Sequence, residues 1–274
     1  MEMLAIFNYF QFNLSTILTW VAAFFVLSTA LVIFVGSKKR SSRIFALASL
    51  ITTLWIFFMG LDTSIPNDPN ISQTALNFLN LIPRITYFLG SIIAMMFFYF
   101  CLIFTKGENV FRWIPWIIIY VVIITFPIYF FTDLLIVGES EWLTNDNLVN
   151  AEIWKYKIGI LNISYNLFFN SFFVAGIYLI HKKMKEVANK DREIQLRLMF
   201  WTIVIGFIPP SIVSILFPFF GIYDYIWIGN LTPIIWTSAI AYSIIKHNQM
   251  NVRVVFTEIL ILAALFLLFL SLFL

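Results

Sequence analysis

Amide, hydroxyl and guanidinium side chains recur at helical spacing inside long apolar stretches of this 274-residue chain. Asn77, Asn80 and Arg84 stand at i, i+3, i+7, and Tyr87 and Ser91 continue the same face. Asn162, Asn166 and Asn170 form a second stripe at i, i+4, i+8. Asp224 and Tyr225 open a third stretch that places Asn230 further along. Polar and ionisable groups are costly in hydrocarbon, so each marks either a binding site or a helix–helix contact. The chemistry on offer is hydrogen bonding and charge pairing. The three faces are expected to converge on a polar cavity that takes a small molecule or a peptide. The alternative is interhelical glue, with Arg84 snorkelling outward or pairing with Asp224 or Glu152.

Groups suited to covalent or metal chemistry are sparse. The only histidines, His181 and His247, lie far apart without a patterned carboxylate partner, and both are expected to act as polar helix-end caps. The lone Cys101 sits in an apolar run, which excludes a disulfide framework and a cysteine metal site. Glu139 and Glu141 are a close carboxylate pair and fall in a polar loop. No phosphate-binding glycine loop, zinc-protease motif or nucleophile elbow is present. No catalytic residue, metal ligand or cofactor is therefore assigned, and the chain itself is not expected to be an enzyme.

The elements that carry these residues follow from hydropathy. Hydrophobic residues make up 61% of the chain and charged residues 11%, with a mean hydropathy of +0.93. Soluble domains hold roughly 25% charged residues, so this composition needs lipid around it. Runs long enough to span a bilayer lie near residues 14–36, 43–61, 76–105, 111–132, 157–181, 197–218 and 225–246. The expected fold class is all-α: a polytopic membrane helix bundle of seven transmembrane helices plus the start of an eighth. That eighth run, 255–274, ends at Leu274 without a polar flank and is expected to be cut short. The first run lacks a basic leader and is followed by Lys38, Lys39 and Arg40, so it reads as a retained helix.

Charge sets the orientation. The loops after the first, third, fifth and seventh runs hold fourteen of the seventeen Lys and Arg residues. The opposite side holds Lys155 and Lys157 together with nine carboxylates, including Asp62, Asp133 and Glu152. Positive loops stay inside, so the N-terminus is expected outside and the seventh run ends in the cytoplasm. The basic segments suit anionic lipid headgroups and require no nucleic acid. Residues 181–197 read as two helix extensions beyond the bilayer joined by a turn near Asn189. Pro83, Pro209, Pro210 and Pro233 are kink positions, either hinges or static packing features.

The stretch AYSIIKHNQMNVRVVFTEIL, Ala241 to Leu260, resembles the end of the seven-helix N-terminal sensor region of bacterial sensor histidine kinases. The matching positions are Ala241, Tyr242, Ile244, Lys246, His247, Met250, Val252, Arg253 and Val254. SSRIFALASLITTLWIFFM, Ser41 to Met59, also looks like that family's second helix, with Trp55 at its centre. The resemblance implies a sensor domain over residues 1–247, a cytoplasmic linker over 248–254 and an eighth helix from 255. It further implies a bacterial inner-membrane location, a homodimer formed through a following kinase region, and signal relay through Lys246, His247 and Arg253. The alternatives are a transporter or channel, which predicts an internal repeat, or another polytopic protein such as a scaffold or lipid-modifying subunit.

Overall fold

The computed structural model describes residues 13–64, 80–107, 112–143, 153–158, 160–213 and 226–247. The helices are α1 (Leu14–Gly36), α2 (Arg40–Thr63), α3 (Leu81–Lys106), α4 (Ile114–Phe131), α5 (Asn162–Glu186), α6 (Lys190–Ser211), α7 (Ile226–Leu231) and α8 (Pro233–His247). Strands β1 (Ile136–Leu143) and β2 (Ile153–Ile158) form an antiparallel hairpin between α4 and α5. Seven spans are long and apolar enough to cross a membrane, with α7 and α8 together supplying the last, Trp227–Ile245. The fold is a polytopic helix bundle.

Local chemistry starts and stops these helices. Asn13 caps α1, its Oδ1 accepting from the Thr16 amide at 2.9 Å. Pro115 sits in the first turn of α4, where a missing N–H costs little. Gly107 ends α3 at φ 108°, a left-handed conformation that an L side chain resists. Asn189 caps α6 by accepting from the amides of Asp191 (2.9 Å) and Arg192 (3.1 Å). The turn foreseen near Asn189 is therefore present, with polar helix on both sides of it.

The boundaries differ from hydropathy in two places. Residues 157 and 158 belong to β2, so the fifth span begins at Asn162. The segment between α4 and α5 contains β-branched and aromatic residues (Ile136, Val137, Trp142, Ile153, Trp154) that favour extended backbone. The last span is broken rather than continuous. Pro233 cannot donate to the Gly229 carbonyl, and Thr232 takes that place with its Oγ1 at 2.8 Å. The expected eighth helix lies outside the described residues.

Neighbour packing runs α1–α2–α3–α5–α6–α8 and back to α1, so six spans close a ring. Helix α4 packs on α3 outside it: 11% of its membrane window is buried, against 61% for α3. Polarity is arranged for lipid. Thr16, Thr19, Ser28, Thr29, Thr52 and Thr53 are buried, while Trp116, Phe131 and Ile163 are exposed. The buried hydroxyls return to their own helix, as Thr29 Oγ1 does to the Phe25 carbonyl at 2.9 Å.

Aromatic rings fill the middle of the ring. Phe97 of α3 stacks on Phe173 of α5 at 4.6 Å, and Phe173 on Phe207 of α6 at 4.9 Å. Trp236 of α8 meets Phe97 edge-on at 6.1 Å and Phe45 of α2 at 6.4 Å. Two glycines make room for this layer. A Cβ on Gly176 would stand 2.7 Å from Phe97, and one on Gly206 would stand 3.1 Å from Trp236. Five elements of the ring thus meet in a packed aromatic layer.

Candidate functional site

Polar side chains collect at the two ends of the bundle. At the acidic end, Arg84 projects from the first turns of α3 toward the C-terminus of α4. Its Nη1 donates to the carbonyls of Thr132 (2.7 Å) and Tyr129 (3.3 Å). Its Nη2 forms an ion pair with Asp133 at 2.6 Å. The last carbonyls of a helix lack intrahelical donors and carry partial negative charge, so a guanidinium both bonds and neutralises them. Among the described residues its charged partner is Asp133; Asp224 and Glu152, considered from sequence, lie outside the described residues. The chain turns immediately after Phe131 and brings Asp133 back over α3.

A tyrosine cluster lies beside Arg84. The Tyr87 hydroxyl accepts from Asn162 Nδ2 at 2.8 Å, and its ring meets Tyr165 edge-on at 4.7 Å. Tyr129 of α4 shares a hydrogen bond with Ser91 and lies 6.4 Å from Tyr165. The Tyr165 hydroxyl fills the notch left by Gly90, where a Cβ would overlap it. Arg84, Tyr87, Tyr129, Asn162 and Tyr165 therefore form one cluster at the junction of α3, α4 and α5. Tyr129, Tyr165 and Asp133 were not among the sequence-derived candidates. Only the i, i+3 spacing of Asn162 and Tyr165 places one of them on a candidate face in advance.

The asparagine stripe divides along its length. Asn166 Nδ2 bonds back to Asn162, to Oδ1 at 2.8 Å and to the carbonyl at 3.1 Å. Asn170 donates to the Asn166 carbonyl at 2.7 Å, and its Oδ1 accepts from Ser211 of α6 at 3.4 Å. Asn80 is buried just ahead of α3. Asn230 is only 1% exposed, and neither end of its amide has a hydrogen-bond partner. Its helix, α7, packs against α1, α2 and α6, away from the tyrosine cluster. Arg84, Tyr87 and Asn162 are thus brought together, while Asn230 is placed apart. Asn77, Asp224, Tyr225 and Arg253 lie outside the described residues.

The basic end holds a second network that sequence reasoning missed. Arg192, in the first turn of α6, donates from Nη2 to the Phe104 carbonyl of α3 at 3.1 Å and lies 4.2 Å over the Phe104 ring. Its Nη1 donates to Gln195 Oε1 at 2.6 Å, and Gln195 Nε2 donates to the Ser243 carbonyl of α8 at 2.9 Å. One Arg–Gln pair at i, i+3 therefore joins three helices. Ser243 lies three residues before Lys246, and α8 ends at His247. Nearby, Arg40 of α2 bonds the Tyr99 hydroxyl of α3.

His181 is not at a helix end. Helix α5 continues to Glu186, and the imidazole packs 5.2 Å from Phe200 of α6. Among the described residues no three metal-ligating side chains cluster.

The chain is a multi-pass membrane protein. No protein-family model, curated protein or solved structure matches it. The arrangement can exchange hydrogen bonds at one end and couple three helices at the other, with an aromatic layer between.

Proposed function

We propose that this chain is the membrane-embedded input module of a bacterial two-component sensor histidine kinase. It lies in the cell membrane with its N-terminus outside, senses an extracytoplasmic or intramembrane cue, and passes its state through the seventh span to a kinase domain. Lys246, His247 and Arg253 carry that state onward, and a homodimer forms through the kinase region. The Ala241–Leu260 motif supports this, and one geometric observation carries it. The Arg192–Gln195 pair fastens α3 and α6 to α8 at Ser243, one turn before the relay segment begins. A change in the packing of α3 at its outer end thereby reaches the seventh span through rigid helix and the aromatic layer. A signal shifts such a system only if it binds one arrangement better than the other.

The cue in this proposal is a small molecule or a peptide received near Arg84, Tyr87 and Asn162, with Asn80, Asn166 and Asn170 alongside. The test is to place the chain ahead of a kinase core in membrane vesicles and follow phosphate incorporation. Gln195→Leu is expected to change basal incorporation severalfold while protein amount holds. Equal incorporation in the variant and the parent chain would sink the relay. A transporter or channel is the second reading. It is favoured by the break at Thr232–Pro233 with Asn230 buried beside it, since transport sites use interrupted helices. Solute or ion flux in the same vesicles, abolished by Asn230→Leu, would favour it.

A further inference from the structure

The basic ends of α3 and α5 border a shallow, water-sized surface notch lined by Thr105, Lys106, Leu179, Lys182, Lys183 and Glu186. We propose that the lysines around this notch bind the phosphate-bearing headgroup of an anionic phospholipid lying over it.

The notch lies where α3 ends beside a longer α5. Helix α3 stops at Lys106, and Gly107 turns the chain away in its left-handed conformation. Helix α5 runs on to Glu186 and so forms a wall beside the end of α3. Leu179 supplies an apolar surface, and Thr105 is buried with its hydroxyl bonded to the Cys101 carbonyl at 2.7 Å. Above them stand three ammonium groups and one carboxylate, a net charge of +2.

Those charges are poorly satisfied within the protein. Lys183 lies 3.9 Å from Glu186, at the outer limit of an ion pair. Lys106 and Lys182 form no ion pair among the described residues. The last α3 carbonyls carry partial negative charge, so the lysines, not the backbone, supply the attraction for an anion. Lysine stems bury along apolar surface while the ammonium stays in the headgroup layer, which suits a lipid phosphate anchored by its own chains. A free phosphate ester meets the same cations but gains nothing from Leu179. A headgroup held between Lys106 and Lys182 would pin α3 to α5 two residues beyond Phe104, where Arg192 pins α3 to α6.

The experiment is a native mass-spectrometric titration of the full chain in detergent with phosphatidylglycerol, phosphatidylcholine and soluble glycerol phosphate. Phosphatidylglycerol is expected to bind one tight site that phosphatidylcholine does not fill. Each lysine near an anionic surface contributes about 1 kcal/mol, so Lys106→Gln with Lys182→Gln should weaken that site about 30-fold. Lys38→Gln with Lys39→Gln should change it less than about threefold, and Glu186→Gln should tighten it about threefold. A thermal melt of each variant checks that it is folded. Should the double lysine variant melt early, Glu186→Gln alone decides. Unchanged affinity in the double lysine variant, or no tightening in Glu186→Gln, overturns the proposal. Displacement by equimolar glycerol phosphate overturns its assignment to lipid.

Discussion

The two ends of the bundle use the same side-chain chemistry to different effect. At the acidic end Arg84 reaches α4, a helix outside the ring, and ties its C-terminus to α3. At the basic end Arg192 reaches α3 while its partner Gln195 reaches α8, so the bond pattern lies within the ring. An arginine that holds a peripheral helix stabilises that helix. An arginine within a closed ring constrains every neighbour, because the ring cannot open at one seam without loading the others. Under the proposed function, the cluster at the acidic end suits local rearrangement around a cue, and the pair at the basic end suits transmission.

Substitutions can break this contrast. Arg192→Ala removes two charge-assisted hydrogen bonds and a cation–π contact, and leaves Gln195 half-satisfied. A loss of about 3 kcal/mol is expected, read as a lower melting temperature for the whole bundle. Arg84→Ala should cost about 2 kcal/mol, concentrated in α4 and visible as faster amide exchange there than in α6 or α8. If exchange accelerates equally in α6 and α8, the ends do not differ and the contrast fails. Asn230→Leu should act with the opposite sign. It replaces a buried amide without partners by an apolar side chain of the same branched skeleton, and should stabilise the fold by about 1 kcal/mol in chemical denaturation. Asn166→Ala should be the mildest, within a few tenths of a kcal/mol, since its side chain bonds only within α5.

Much of the fold was legible because bilayer thickness imposes a ruler on hydropathy. Seven runs gave seven spans, and the Asn189 turn was visible as a polar cap between two amphipathic extensions. The candidate site was legible only in part. Arg84 stood out by its cost in an apolar run, yet its partner lies 49 residues away across a helix end. Arg192 looked like one more basic loop residue, although its main-chain acceptor is 88 residues distant in α3. Stripe spacing put Asn162, Asn166 and Asn170 on one face, and correctly so. What it could not supply was which helix each would meet, because α5 touches both α3 and α6 along its length.

Composition, run length and the placement of Lys and Arg were enough for a multi-pass helical membrane protein with one basic and one acidic end. Those properties are sums over residues, and burial in lipid depends on little else. Which helices neighbour one another, that α4 stands outside the ring, and that Asn230 lies apart from the tyrosine cluster depended on tertiary packing. Helices that are apolar all round carry almost no record of which face turns inward. Their order was decided by pairwise fit: aromatic rings against glycine notches, and a few polar side chains that could reach a partner in only one arrangement.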